Sequence, residues 1–137
     1  MYSERIFVDT GAWVALADED DSHHQDAASI FPSLLKTYKG LITSNLVVAE
    51  SYILMLKGLG HDAAMNFLDR VNSSPRIIRI YSTSDIEDKA EEILRKYRDQ
   101  DFSYTDAVSF AIMKMHGVKK SFSFDRHFET MGFVRAP

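Results

Sequence analysis

Arg5-Ile6-Phe7-Val8-Asp9-Thr10-Gly11 is the stretch that decides the fold, because it joins an uninterrupted apolar run to an acid and a turn. The apolar residues are continuous rather than alternating, which is typical of a strand buried on both faces. Thr10 and Gly11 are expected to turn the chain, and residues 12–17 to form a short helix. The stretch therefore predicts a fully buried strand that ends in a carboxylate.

Strands and helices alternate over the rest of the chain. Further strands are predicted at residues 41–43, 76–81 and 121–125, with a short last one at 133–134. One helix is predicted from its cap at Ser22 to about Tyr38, and another, capped by Asn45, over residues 46–56, ending near Gly58 and Gly60. A further helix follows to about Asn72, and two more are predicted over 85–97 and over 104–116 before Gly117. This alternation predicts an α/β fold with a mainly parallel sheet.

Composition narrows the class of protein. With 137 residues and 45% hydrophobic content, residues 1–137 are expected to form one domain. Sixteen Lys and Arg against twenty Asp and Glu argue against holding nucleic acid by bulk positive charge. The chain has no cysteine, which excludes disulfides and thiolate metal sites. No membrane segment is evident, and a reducing cytoplasm is the simplest location.

Two acids follow predicted strands. Asp9 and Asp125 each stand where a strand ends, and open parallel sheets place their ligands in the crevice beyond the carboxyl ends of the strands. Each acid has a structural alternative, since Asp is a common cap for the helix or turn that follows. The sequence leaves both interpretations open for each residue.

Glu50 interrupts an apolar helical face. Its neighbours at helical spacing are Leu46, Val47, Ile53 and Leu54, so this face is expected to be buried. A charged carboxylate there would cost several kcal/mol to desolvate unless a cation or a basic partner meets it. The alternative is a neutral glutamate or one paired with a buried Lys or Arg.

Asp106 lies in the first turn of a predicted helix whose buried stripe begins at the next residue. Ser103 is expected to cap this helix, and an acid in the first turn favours the helix dipole. The position at the rim between core and solvent also suits a metal ligand. Four converging acids cannot all stay ionised without positive charge between them, and phosphodiester hydrolysis by Mg²⁺ or Mn²⁺ needs such oxygen ligands.

The histidines give no comparable pattern. His23 and His24 are adjacent, so on a helix they point about 100° apart and do not share one metal. His61, His116 and His127 are scattered over helix ends and turns, and we expect no ligand role for them.

Four short blocks together resemble the PIN domain family. They are Phe7-Val8-Asp9-Thr10, Val48-Ala49-Glu50, Ser103-Tyr104-Thr105-Asp106-Ala107 and Phe124-Asp125-Arg126-His127-Phe128. The resemblance implies a three-layer α/β/α sandwich with a five-stranded parallel sheet, and a Mg²⁺- or Mn²⁺-dependent endoribonuclease. It implies that the metal ligands are Asp9, Glu50, Asp106 and Asp125. Thr10 and Thr105 would orient the carboxylates or the attacking water.

Within that family, a chain of this length resembles the VapC-like toxins of type II toxin-antitoxin pairs. This implies RNA as substrate, a homodimer, and a small antitoxin that covers the active site. The family's fourth acid is its most variable, so Asp101 is the substitute for Asp125 if the latter is not a ligand.

Other functions remain open at this point. A stand-alone RNA-processing nuclease and a PIN fold used only for binding would have the same motifs. A receiver module of similar length would have two adjacent acids after the first strand, whereas here Thr10 follows Asp9. It would also place a lysine after the last main strand, whereas here Lys119 and Lys120 precede a strand. The Asp9-Thr10-Gly11 triplet is shared with aspartic proteases, but their nearly all-β fold conflicts with the helices predicted around Glu50 and Asp106.

Overall fold

The computed structural model describes residue 2 and residues 4–137. This part of the chain forms five strands and seven helices. The strands are β1 (Arg5–Val8), β2 (Gly40–Ser44), β3 (Ile77–Ile80), β4 (Lys120–Phe122) and β5 (Val134–Ala136). The helices are α1 (Thr10–Ala17), α2 (His24–Thr37), α3 (Asn45–Leu59), α4 (His61–Ser73), α5 (Ser84–Lys96), α6 (Tyr104–His116) and α7 (His127–Thr130).

All five strands are parallel, in the order β3-β2-β1-β4-β5. The central strand β1 pairs Phe7 with Ile42 of β2, and Val8 with Phe122 of β4. Ile6, Phe7 and Val8 are completely buried, as expected of an apolar run covered on both faces. The parallel α/β fold predicted from the sequence is confirmed.

The order of the strands sets the layers. The chain moves from β1 through β2 to β3 in one direction, and later from β4 to β5 in the other. Right-handed crossovers then place α1–α4 on one face of the sheet and α5–α7 on the opposite face. Aromatic contacts within each layer support this arrangement. Trp13 of α1 contacts Phe67 of α4, and Phe110 of α6 contacts Phe128 of α7. The direction reverses between β1 and β4, so a crevice opens beyond the carboxyl ends of these two strands.

Several predicted boundaries are wrong. The helix α1 begins at Thr10, so Thr10 and Gly11 lie in its first turn rather than in a separate turn. The residue before α2 is His23, not Ser22, because the acidic run forms its own hydrogen-bonded turns first. At the C-terminus, β4 ends at Phe122 instead of residue 125, and the last strand covers 134–136.

The predicted cap of α3 is also corrected. Ser44 is the cap, and its side chain accepts a hydrogen bond from the Val47 amide at 3.1 Å. Asn45 is the first helical residue, and its side chain instead accepts a hydrogen bond from the Ser82 amide at 2.8 Å. Both residues are good caps, and the longer-range contact of Asn45 is invisible in the local sequence. None of the helices in the described residues has the length and apolarity needed to cross a bilayer.

Candidate active site

Asp9 occupies the crevice between β1 and β4. It stands at the N-cap position of α1, yet its side chain makes no capping hydrogen bond. The carboxylate is only 7% exposed and accepts a hydrogen bond from Ser123 Oγ at 3.4 Å. The capping interpretation of Asp9 is therefore wrong, and its carboxylate lies buried without a basic partner.

Electrostatics shows that the other predicted acids lie near Asp9. Burial raises the pKa of Asp9 to about 7, and repulsion from Asp106, Asp125 and Glu50 adds to this increase. The Thr10 amide acts in the opposite direction by hydrogen bonding to the carboxylate. The fold thus brings the acid after β1, the acids on α3 and α6 and the acid in the segment after β4 into one negatively charged region.

Asp106 is held by a capping box at the start of α6. Ser103 Oγ accepts a hydrogen bond from the Asp106 amide at 3.0 Å, and Asp106 Oδ2 accepts one from the Ser103 amide at 3.0 Å. Burial raises the pKa of Asp106, and the nearby Asp125 raises it further. The predicted cap is confirmed, and the same box fixes the Asp106 carboxylate beside the other acids.

Asp125 is fixed by its own loop. Its Oδ1 accepts a hydrogen bond from the His127 amide at 2.9 Å, so the predicted capping role describes its geometry correctly. The amide of Asp125 donates to Ser123 Oγ at 3.0 Å, and the same hydroxyl contacts Asp9. Ser123 therefore links two acids that lie 116 positions apart in the numbering. The only sign of this role in the sequence is a small polar residue between Phe122 and Phe124.

The environment of Glu50 differs from the prediction. Glu50 is half-buried, and Ile53 and Leu54 are 39% and 47% exposed, so the face that they share with Glu50 is not a core face. The buried face of α3 is formed instead by Val47, Val48, Ser51 and Met55. Within the described chain Glu50 makes no ion pair, so the alternative of a buried Lys or Arg partner is wrong.

The two threonines of the motifs lie next to the acids in sequence. Thr10 is buried, and its Oγ1 has no hydrogen-bond partner among the described residues. Thr105 is half-buried, and its carbonyl accepts a hydrogen bond from Ser109 Oγ at 2.9 Å. An unpaired buried hydroxyl costs free energy, so Thr10 Oγ1 remains available to hydrogen bond with a bound group.

His127, for which no ligand role was expected, lies among the acids. Its Nδ1 is 3.3 Å from Asp125 Oδ1 and 3.7 Å from Asp106 Oδ2, while its Nε2 is 3.0 Å from Asp101 Oδ1. Asp101 is 95% exposed and reaches the crevice only through this imidazole. The one available signal was its place in the Phe-Asp-Arg-His-Phe block, two residues after Asp125.

These residues fit a hard divalent cation. Oxygen ligands are abundant, one carboxylate is deeply buried, and no Lys or Arg in the described chain pairs with any of the four acids. Atoms of Asp106, Asp125 and His127 come within 4.8 Å of one another, which is close enough to share one ion. Such a group of acids is unfavourable alone and becomes favourable when a cation lies between its members.

Comparison with known proteins agrees with this geometry. A PIN domain profile matches residues 6–134. The 23S rRNA-specific endonuclease VapC20 of Mycobacterium tuberculosis is 34% identical over 130 residues, covering 94% of this chain and 95% of that protein.

Solved structures show the same relationship. The crystal structure of Mycobacterium tuberculosis VapC20, described as a sarcin-ricin loop cleaving toxin, has a TM-score of 0.87 at 32% identity and covers 94% of this chain and 96% of its own. FitAcB from Neisseria gonorrhoeae shares the fold alone, with a TM-score of 0.66 at 16% identity over 96% of both chains. The fold and the nuclease class predicted from the sequence are confirmed. The chain belongs to the PIN domain family.

Proposed function

We propose that residues 1–137 act as one PIN-like domain that cleaves RNA internally with Mg²⁺ or Mn²⁺. The cations would be held by Asp9, Glu50, Asp106 and Asp125. The observation that supports this most is the buried Asp9 carboxylate, which three other acids surround and no Lys or Arg in the described chain neutralises. A divalent cation supplies the missing positive charge.

Each side chain has a role in this proposal. A bound divalent cation lowers the pKa of a coordinated water and neutralises charge on the leaving oxygen. Asp106 and Asp125 present oxygens that backbone amides already hold in place. Thr10 and Thr105 would orient a carboxylate or the attacking water, and the unpaired Thr10 Oγ1 supports this for Thr10.

The substrate class follows from the relative that this chain resembles. VapC20 is named for its action on 23S rRNA, and the similarity extends over almost all of both chains. We therefore extend the proposal to a toxin that cleaves structured ribosomal RNA. A net charge of −4 supports recognition through the cation site and local contacts rather than through bulk positive charge. Bacterial-type toxins of this kind act on RNA in the cytoplasm, which is the proposed location.

Partners complete the proposal. Ile53 and Leu54 are exposed apolar side chains on α3, the helix that carries Glu50. Exposed apolar side chains of this kind can form protein contacts, and we assign these two to a homodimer, with a small antitoxin covering the acids. Sedimentation of the purified chain tests the dimer, and a monomer at micromolar concentration would contradict it.

Cleavage of a mixed pool of ribosomal and transfer RNA tests the activity. The variants are Asp106→Asn and Glu50→Gln, each assayed with Mg²⁺, with Mn²⁺ and with EDTA. We expect wild type to cut with metal only, and each variant to lose on the order of 100-fold in rate or more, because a metal ligand is removed. Mapping the fragments identifies the RNA class.

Asp88→Asn is the matched control, since Asp88 is an exposed acid on α5 that makes no ion pair in the described chain. It removes the same charge and should cleave at the rate of wild type. Cleavage that persists in EDTA, or that Asp106→Asn retains in full, would show that the four acids do not hold a catalytic cation. Cleavage of transfer RNA alone would reject the ribosomal substrate and keep the nuclease.

A further inference from the structure

The imidazole of His127 is fixed in place at the rim of the acid cluster. Phe102 contacts the ring edge to face, with centroids 4.9 Å apart and planes at 78°. The His127 amide is bound to Asp125 Oδ1, so the backbone of this residue is tied to the cluster as well. The ring is 24% exposed, and its Nδ1 lies on the buried side. Its orientation is therefore set by packing and by the backbone.

The two ring nitrogens have different surroundings. Nε2 lies 3.0 Å from the exposed Asp101 carboxylate, which favours a proton on that nitrogen. Nδ1 is shielded from solvent and has no hydrogen-bond partner among the described residues. With the proton on Nε2, the lone pair of Nδ1 faces the carboxylates of Asp106 and Asp125. A histidine that binds a metal through one nitrogen usually donates its other N–H to a carboxylate, and His127 with Asp101 has this arrangement.

The spacing of the three candidate ligand atoms also suits one ion. Nδ1 lies 3.3 Å from Asp125 Oδ1 and 3.7 Å from Asp106 Oδ2. Neighbouring ligands of an octahedral ion with bonds of about 2.1 Å lie about 3 Å apart, so a small contraction would close the site. Both oxygens already accept backbone amide hydrogen bonds and are held at these positions. Without a cation, a nitrogen lone pair against two carboxylates has no favourable contact.

We propose that His127 Nδ1 is a direct ligand of the divalent cation together with Asp106 and Asp125, and that Asp101 is a positioning residue which holds the imidazole in this tautomer. The inference rests on the proposed metal site and assigns it a nitrogen ligand in addition to its acids. Imidazole favours transition-metal ions over Mg²⁺, which prefers oxygen ligands. His127 thereby biases this site toward Mn²⁺.

Electron spin echo measurements on Mn²⁺ bound to the whole protein test the ligand directly. A coordinated imidazole gives a ¹⁴N coupling in the Mn²⁺ signal, and labelling the protein with ¹⁵N-histidine shifts it. We expect this coupling in wild type and its loss in His127→Phe, which keeps an aromatic ring beside Phe102. We also expect this variant to bind Mn²⁺ about tenfold more weakly in titration, and Mg²⁺ less than about threefold more weakly.

His116→Phe is the matched control. His116 also has a buried Nδ1 without a partner in the described chain, but it ends α6, about 15 Å along the helix from Asp106. This variant should keep the coupling. Asp101→Asn should keep it with weaker Mn²⁺ affinity.

The outcomes separate the two proposals. Wild type that binds Mn²⁺ without any ¹⁴N coupling overturns the His127 ligand and leaves the four-acid site intact. Wild type that binds no Mn²⁺ overturns both. Because a wild-type spectrum without the coupling overturns the nitrogen ligand by itself, the proposal can be refuted even if His127→Phe does not fold.

Discussion

Arg76, at the amino edge of the sheet, and Asp9, at its carboxyl edge, differ in how their charges are met by the surrounding groups. At the amino edge, the Arg76 guanidinium donates to three backbone carbonyls, those of Lys39 at 3.1 Å, Leu35 at 2.6 Å and Tyr38 at 2.9 Å. The carbonyl of Arg76 accepts the Leu41 amide at 2.7 Å and joins β2 to the start of β3. The donors and acceptors in this contact are paired.

At the carboxyl edge the same sheet leaves groups unpaired. Asp9 is buried beside three other acids, and neither Thr10 Oγ1 nor His127 Nδ1 has a hydrogen-bond partner in the described chain. Buried polar groups are normally satisfied, and His127 Nδ1, unpaired beside Asp106 and Asp125, points to a ligand at this edge. The Arg76 contacts therefore stabilise the amino edge. The acids at the carboxyl edge instead lower the free energy of unfolding unless a cation binds between them.

The largest expected effect is on stability at the carboxyl edge. The pKa of Asp9 is about 7 in the folded protein and near 4 in the unfolded chain, so between these pH values the folded protein keeps a proton that the unfolded chain releases. This contribution to the free energy of unfolding falls as pH rises from about 4 to about 7, by on the order of 4 kcal/mol. In EDTA at pH 8, Asp9→Asn should therefore be more stable than wild type.

Urea unfolding in EDTA at pH 5 and pH 8 measures this gain, which should be small at pH 5 and large at pH 8. Adding Mn²⁺ should narrow the gap, because the ion binds and stabilises folded wild type. Asp88→Asn removes an exposed acid and should show no such dependence on pH. If Asp9→Asn is less stable than wild type in EDTA at pH 8, the buried Asp9 carboxylate does not destabilise the metal-free protein.

The fold could be predicted from the sequence because the patterns that determine it are local. The continuous apolar run Ile6–Val8 requires cover on both faces, and the alternation of strands with helices selects a parallel sheet. The cap at Ser103 was predicted from its place before the helix and is present, as part of a capping box with Asp106. The predicted helix boundaries were wrong where a contact distant in sequence determines the role of a residue. Asn45, for example, does not cap α3, because its side chain accepts a hydrogen bond from the amide of Ser82.

The candidate site was predictable only in part for the same reason. Asp9 and Asp125 follow strands, Asp106 lies in the first turn of a helix and Glu50 lies within a helix, and the fold brings them near one another. His127 and Ser123 became visible only in three dimensions, because their partners Asp101 and Asp9 come from other elements. The burial predicted for Glu50 failed because apolar spacing does not reveal whether a helix face meets the core or remains exposed.

The smaller expected effect tests the amino edge. Gly40 begins β2, and a Cβ built there would lie 2.7 Å from the carbonyl oxygen of Arg76. That oxygen is backbone and is bound to the Leu41 amide, so Gly40→Ala must push β2 away from the segment before β3. Overpacking of this kind costs about 1–3 kcal/mol, and we expect a loss of that size in urea unfolding.

Cleavage per folded molecule should survive in Gly40→Ala, because Gly40 lies at the opposite end of β2 from Ser44, roughly 13 Å from the acid-bearing edge. Gly58→Ala is the matched control. Gly58 lies within α3, a Cβ there meets nothing within 4 Å, and alanine favours a helix by roughly 0.5–1 kcal/mol. We expect Gly40→Ala to lower the free energy of unfolding and Gly58→Ala to raise it, with RNA cleavage kept in both variants. This result would show that stability at the amino edge can change without affecting the chemistry at the carboxyl edge. A folded Gly40→Ala protein that no longer cleaves RNA would show that strain at the amino edge disturbs the acids at the carboxyl edge. The two edges would then not be independent.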